Sequence, residues 1–138
     1  MSIPILIAAA ITFLAFLAHT LVGNREAFST RPATSDDVGS GNFVNVERNW
    51  VQSMCAFQMV TVDLFALSLL LFALGATDLI HAKREVALIV SVFLALWGVA
   101  WLVQLVVLRR RPRDYLLLSQ WLFWFICSGL LYIGAQSL

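Results

Sequence analysis

Charged residues are scarce in this sequence, which argues against a soluble globular domain. They make up 12% of the 138 residues, whereas hydrophobic residues make up 61%. Soluble domains contain about 25% charged residues. The formal net charge is only +1, so the composition gives no basis for binding nucleic acid. We therefore expect a membrane protein that has the lipid bilayer as its main solvent.

Sets of residues that perform catalysis or bind metals are also missing. No Gly-rich phosphate loop occurs, and no Ser, His and Asp set is predicted at one depth. His19 and His81 are predicted near opposite membrane faces, so one monomer cannot hold a haem through both. His19 and Glu26 alone do not make a zinc site. Cys55 and Cys127 are predicted at different depths, which disfavours a disulfide. We expect no enzyme activity, catalytic residue, metal or cofactor.

Four long apolar runs occupy most of the chain. A helix crosses the ~30 Å hydrocarbon core with roughly 20 residues and pairs its backbone groups internally. The predicted fold is therefore all-α, a polytopic membrane protein with a four-transmembrane-helix bundle as its single domain over residues 1–138. The predicted helices are residues 3–22, 50–74, 86–108 and 115–136, with a polar loop over residues 23–49. The first run lacks a preceding Lys or Arg and exceeds a signal-peptide core in length, which favours a retained helix.

The basic residues are distributed unevenly between the two predicted faces. The first and third loops contain Arg25, Arg31, Arg48, Arg109, Arg110, Arg111 and Arg113. In the loop between them, the only Lys or Arg residues are Lys83 and Arg84. The positive-inside rule therefore predicts that loops one and three face the cytoplasm and that both termini lie outside.

The end of the first loop has helical spacing before the second apolar run begins. In "NFVNVERNW", Phe43, Val46 and Trp50 share one helical face, and Asn42 is a candidate N-cap. The preceding "RPATSDDVGSGN" is rich in turn formers and predicts a mobile tip. The lead-in segment is either an interfacial turn or a docking surface for a partner.

Five amides and imidazoles are predicted in the cytoplasmic half of the four helices, and we call them the polar layer: His19, Gln52, Gln58, Gln104 and Gln120. One interpretation is that they form hydrogen bonds between helices, worth ~0.6 to 2 kcal/mol each. The alternative is a polar vestibule, or a site for a head group or a quinone-like ligand. Amides alone perform no acid or base chemistry.

Asp63, in "VTVDLFALS", is predicted ~20 Å from the cytoplasmic face. A charge near the middle of a bilayer costs at least ~2.5 to 3.5 kcal/mol, and none of the four runs contains Lys or Arg. The predicted neighbours are Ser128 and Cys127 on the fourth helix and Thr12 on the first. These partners favour a protonated Asp63 that bonds between helices. Contact with a basic residue of another chain, or a proton or cation pathway, are the alternatives.

Tryptophans are predicted inside the hydrocarbon core at Trp97, Trp101 and Trp124. On the third helix, small residues form a stripe suited to close helix contact, namely Ser91, Ala95 and Gly98. The tryptophans are expected to serve packing within or between subunits, or alternatively to form a lipid or pigment site.

Two stretches resemble landmarks of a group of small, functionally uncharacterised four-helix membrane proteins of bacteria. That group has a His-xxx-Gly-x-x-Glu stretch, matched in "AHTLVGNRE" by His19, Gly23 and Glu26. It also has a Trp-His-x-x-Thr stretch, of which "CAFQMVTVDL" keeps only Thr61, with Phe57 and Gln58 replacing the Trp-His pair. "LSQWLFWFICSGLLYIGA" is similar to the final helix of the group. The resemblance implies four helices in a bacterial inner membrane, and no activity.

These observations favour a non-enzymatic accessory or assembly subunit of a larger inner-membrane complex or homo-oligomer. The expected partners are the lipid bilayer and other membrane chains or further copies of this one. One alternative is a small oligomeric transporter or channel in which Asp63 binds a proton or cation. Another is a protein that binds lipid, quinone or pigment in the membrane.

Overall fold

The computed structural model describes residues 1–32 and 43–138, and every regular element in these ranges is helical. The all-α prediction is therefore confirmed for the described residues. The elements are α1 (Ile3–Ala18), a π-helical segment (His19–Gly23), α2 (Asn24–Ser29), α3 (Phe43–Ala76), α4 (Lys83–Val107), α5 (Pro112–Leu117) and α6 (Gln120–Ala135).

Three helical stretches in the described ranges are long and apolar enough to cross a membrane. They are Ile3–Ser29, Phe43–Ala76 and Lys83–Val107, with 27, 34 and 25 residues. These stretches support the predicted membrane protein. The fourth predicted run is divided at Leu118 and Ser119, between α5 and α6, and α6 has only 16 residues. A fourth membrane crossing therefore stays a prediction.

The predicted polar loop over residues 23–49 is wrong at both ends. Gly23 and Asn24 were expected to end the first helix, but both have right-handed helical dihedral angles and the helix continues to Ser29. The second helix already begins at Phe43, as the spacing of Phe43, Val46 and Trp50 indicates. The predicted cap Asn42 and most of the predicted mobile tip lie in residues 33–42, outside the described residues.

Residues Met1–Ile11 and Ser68–Leu138 form one compact unit, and residues Thr12–Leu67 form a second. In the first unit, α4 and α6 pack closely through small residues. The Ser91 hydroxyl donates to the Ser128 carbonyl, and the Ser128 hydroxyl donates to the Ser91 carbonyl, each at 2.8 Å. A Cβ atom on Gly98 would lie 3.1 Å from the Phe125 ring. The close contact expected of the small-residue stripe is thus present at Ser91 and Gly98.

The start of α1 is fixed to the same unit by backbone contacts. The Ser2 amide donates to the Gly75 carbonyl at 2.9 Å, and the Ser2 hydroxyl donates to the Gly134 carbonyl at 3.3 Å. Ile5 is fully buried against Gly134, which leaves no room there for a side chain. These contacts bring the N-terminal residues to the ends of α3 and α6. The prediction of one domain for the whole chain stays a prediction.

The tryptophans of this unit have different environments. Trp124 is buried and meets Trp97 edge to face, with ring centroids 4.8 Å apart. Trp101 is exposed near the C-terminal end of α4 and donates from Nε1 to the Leu118 carbonyl at 3.1 Å. Trp97 and Trp124 therefore contribute to packing between α4 and α6, whereas Trp101 links α4 to the end of α5.

Candidate functional site

In the second unit, His19 packs into a cluster with residues of α3. Its ring stacks on Phe57 with centroids 3.8 Å apart, and its Nδ1 lies 3.0 Å from the Thr61 hydroxyl. That hydroxyl donates to the Phe57 carbonyl at 3.2 Å. Because the hydroxyl proton is used there, the Thr61 oxygen accepts a hydrogen bond from His19 Nδ1–H. The ring stacking and this hydrogen bond hold the imidazole in one orientation against α3.

Gly23, predicted to end the first helix, lies instead at a close contact between this helix and α3. A Cβ atom at this position would lie 3.0 Å from Cζ of Phe57. Glycine therefore allows the close approach of the π-helical segment to α3 and does not end the helix here. His19, Gly23 and Thr61, which carry the resemblance to the bacterial group, meet around Phe57. Glu26 matches that pattern too, but it is exposed on α2.

Further contacts join α2 to the start of α3. Gln58 donates from Nε2 to the Asn24 side-chain oxygen at 3.0 Å, and Trp50 donates from Nε1 to the Ala27 carbonyl at 3.3 Å. The Arg31 guanidinium lies 5.5 Å from the centre of the Trp50 ring. Tryptophan with a neighbouring arginine is typical of the membrane–water interface. This end of the unit is therefore suited to the head-group region.

An open groove of about 680 Å³ runs along one face of α3 below this junction. We call it the Asp63 groove, and it is lined by Phe28, Trp50, Val51, Met54, Cys55, Gln58, Met59, Val62 and Asp63. Its walls are mainly apolar, with the amide of Gln58 and the carboxylate of Asp63 as the strongest polar groups. Phe28 belongs to α2, and the helical spacing of the other lining residues places them on one stripe of α3.

Asp63 is exposed in this groove. Within Thr12–Leu67, no described residue forms a hydrogen bond or ion pair with its carboxylate. Ser128, which the sequence predicted as a neighbour of Asp63, exchanges hydrogen bonds with Ser91 in the other unit. Thr12, the other predicted neighbour, is fully buried. The predicted contact of Asp63 with Ser128, which belongs to the other unit, stays a prediction.

The polar layer has two members with hydrogen bonds between helices, His19 and Gln58. Gln52, in the same unit, is exposed. Gln104 and Gln120 belong to the other unit and are exposed as well. Hydrogen bonding between helices thus accounts for His19 and Gln58, while a common layer across four helices stays a prediction.

The sequence did not reveal which residues of the predicted first loop contact α3 at this site. Asn24 and Phe28 were assigned to a loop, so their contacts with Gln58 and Trp50 could not be foreseen. The sequence did contain one signal for the groove. The helical spacing from Phe43 through Trp50 continues along α3 and places Trp50 and Met54, which both line the groove, on one face.

Comparisons with protein-family models, with curated proteins and with solved structures found no match.

Proposed function

We propose that this chain is a non-enzymatic accessory or assembly subunit of a larger complex in a bacterial inner membrane. The observation that carries this proposal is the exposed Asp63 in the groove of α3. Asp63 lies within the 34-residue stretch Phe43–Ala76, which is long enough to cross a membrane. An intramembrane carboxylate facing lipid is costly, so such groups face protein or water. Contact with another chain removes this cost.

The chemistry of the groove indicates what that other chain supplies. The apolar walls suit a transmembrane helix, and the carboxylate suits a Lys or Arg side chain at the matching depth. A second copy of this chain has no Lys or Arg inside the four apolar runs. The charge of Asp63 therefore favours a different chain over a homo-oligomer.

The proposed topology has four crossings, with both termini outside. The arginines between α4 and α5 support it, since basic residues in short loops are retained on the cytoplasmic side. The exposed Arg111 is a suitable position for a test. A cysteine introduced by Arg111→Cys is expected to react with an impermeant reagent in inverted vesicles but not in intact cells. Labelling in intact cells would show that position 111 lies outside and would contradict the proposed topology.

Affinity purification in a mild detergent tests the accessory role. We expect an integral membrane chain to co-purify in a fixed ratio and to contain a Lys or Arg within one of its membrane-spanning segments. The reason is that only such a chain covers the groove and neutralises Asp63. Identification and quantification of the co-purifying chains by mass spectrometry provide the measurement. Recovery of this chain alone, with full stability, would contradict the proposal.

A further inference from the structure

The turn between α4 and α5 concentrates positive charge at the end of a candidate membrane span. It contains Arg109, Arg110 and Arg111, and Arg113 follows at the start of α5; all four are exposed. We call these four arginines together with Asp114 the arginine turn. Their side chains line an open polar hollow of about 360 Å³. All its residues belong to the compact unit that contains α4 and α6.

Asp114 neutralises only part of this charge. Its carboxylate lies 3.0 Å from Nη2 of Arg110 and 3.8 Å from Nε of Arg113. It also accepts the backbone N–H of Arg111 at 3.2 Å. Arg109 and Arg111 form no ion pair with a carboxylate of the described residues. Four guanidiniums facing one carboxylate leave a formal charge of +3 in the hollow.

The backbone of Arg109 adopts a conformation that normally belongs to glycine. Its φ is +49°, in the left-handed region. The Arg109 amide donates to the Val106 carbonyl at 2.9 Å, and the Arg110 amide donates to the Leu105 carbonyl at 3.0 Å. This pair of hydrogen bonds is the usual helix ending in which glycine occupies the left-handed position. An arginine here is unfavourable for the backbone, which points to a use for its side chain.

Aromatic residues nearby indicate the depth of the turn. Trp101 donates to the Leu118 carbonyl at 3.1 Å, and Trp121 donates to the Tyr115 carbonyl at 2.8 Å. Indole and phenol rings accumulate at the level of the lipid head groups. The candidate span Lys83–Val107 ends just before Arg109, so we expect the guanidiniums of the arginine turn at the level of the lipid phosphates. Guanidinium binds phosphate through paired, charge-assisted hydrogen bonds.

We propose that Arg109 and Arg111 bind the phosphate of an anionic phospholipid. Arg110 and Arg113 stay with Asp114, which fixes the start of α5 and holds the hollow open. The remaining positive charge favours a lipid with a net negative head group over a zwitterionic one. This inference requires only a membrane location and is independent of the partner proposed for Asp63.

The test measures binding of phosphatidylglycerol to the purified full chain in a non-ionic detergent by native mass spectrometry. Phosphatidylcholine with the same acyl chains and inorganic phosphate are the comparison probes. We expect phosphatidylglycerol to bind most tightly. Replacing Arg109→Gln and Arg111→Gln together is expected to weaken its binding about 10- to 30-fold. The matched control, Lys83→Gln with Arg84→Gln, removes the same charge at the other end of α4 and is expected to leave binding within about twofold.

Arg109→Gly separates a binding role from a structural role. Glycine suits the left-handed backbone, so this variant is expected to unfold at the same or a higher temperature than the wild type while binding phosphatidylglycerol less tightly. Equal losses in the Lys83 and Arg84 control would show general charge attraction and overturn the proposal. Wild-type affinity in the Arg109 and Arg111 variant would overturn it too. Equally tight binding of inorganic phosphate would assign the site to the free anion in place of the lipid.

Discussion

The Asp63→Lys variant is expected to lose its partner chain during purification in mild detergent. A lysine in the Asp63 groove would face the basic residue that we propose for the partner helix, so attraction becomes repulsion. Removing one member of a buried, hydrogen-bonded charge pair costs about 2 to 5 kcal/mol. Recovery of the partner relative to this chain is therefore expected to fall about 30-fold or more. Quantitative mass spectrometry of the purified complex measures this ratio.

Two further variants make the result specific. Glu26→Lys makes the same change of charge at an exposed carboxylate in the same unit but outside the groove, and it is expected to keep the partner. Asp63→Asn keeps a hydrogen-bonding side chain without the charge and is expected to lose less of the partner than Asp63→Lys. If Asp63→Asn keeps the assembly intact but abolishes a proton flux in liposomes, the transporter alternative replaces the accessory role.

Gly134→Ala is expected to destabilise the fold more than its size suggests. A Cβ atom at Gly134 would clash with Cγ1 of Ile5 and would lie 2.9 Å from the Ser2 hydroxyl oxygen. Both neighbours are buried, so the added atom forces the start of α1 away from α6. Overpacking of this kind costs about 1 to 3 kcal/mol. Thermal unfolding in detergent, followed by tryptophan fluorescence, measures the loss.

Gly129 provides the matched control in the same helix. Apart from its chain neighbours and the backbone of its own helix, a Cβ atom there would have no described atom within 4 Å. Gly129→Ala is therefore expected to be neutral or to stabilise α6 by about 0.5 to 1 kcal/mol, because alanine favours helix. Equal unfolding temperatures for the two variants would contradict the docking of Ser2 and Ile5 against α6.

The helices and their membrane character could be predicted because they depend on local composition. Long apolar runs indicate spans without any knowledge of tertiary contacts. The end of the first helix could not be predicted, since Gly23 resembles a helix stop in the sequence. Its actual role is to admit the Phe57 ring, a residue far along the chain. The break near Leu118 was likewise hidden within a continuous apolar run.

Depth counting identified Asp63 as unusual but could not assign its surroundings. A distance along the helix axis does not say which face of α3 carries the carboxylate. Ser128 was predicted at a matching depth, and in its own unit its hydroxyl donates to the Ser91 carbonyl, while a contact with Asp63 stays a prediction. The small-residue stripe that contains Ser91 was itself recognised in the sequence. Joining it to Ser128 would have required knowing that α4 packs on α6. From the sequence, the residues of the arginine turn predicted only the orientation of the chain in the membrane, because the left-handed backbone of Arg109 has no sequence signature.

Photo-crosslinking from inside the Asp63 groove shows whether another protein chain occupies it. A benzophenone amino acid replaces Met59, which lines the groove and is 67% exposed. In a control variant it replaces Leu69, which lies on the same helix outside the groove and is 53% exposed. After irradiation of intact cells, we expect Met59 to give one dominant protein product, with the crosslink in a membrane-spanning segment that contains Lys or Arg, and Leu69 to give little of it. If Met59 yields only lipid adducts, or the same products as Leu69, no chain occupies the groove and the accessory role is wrong.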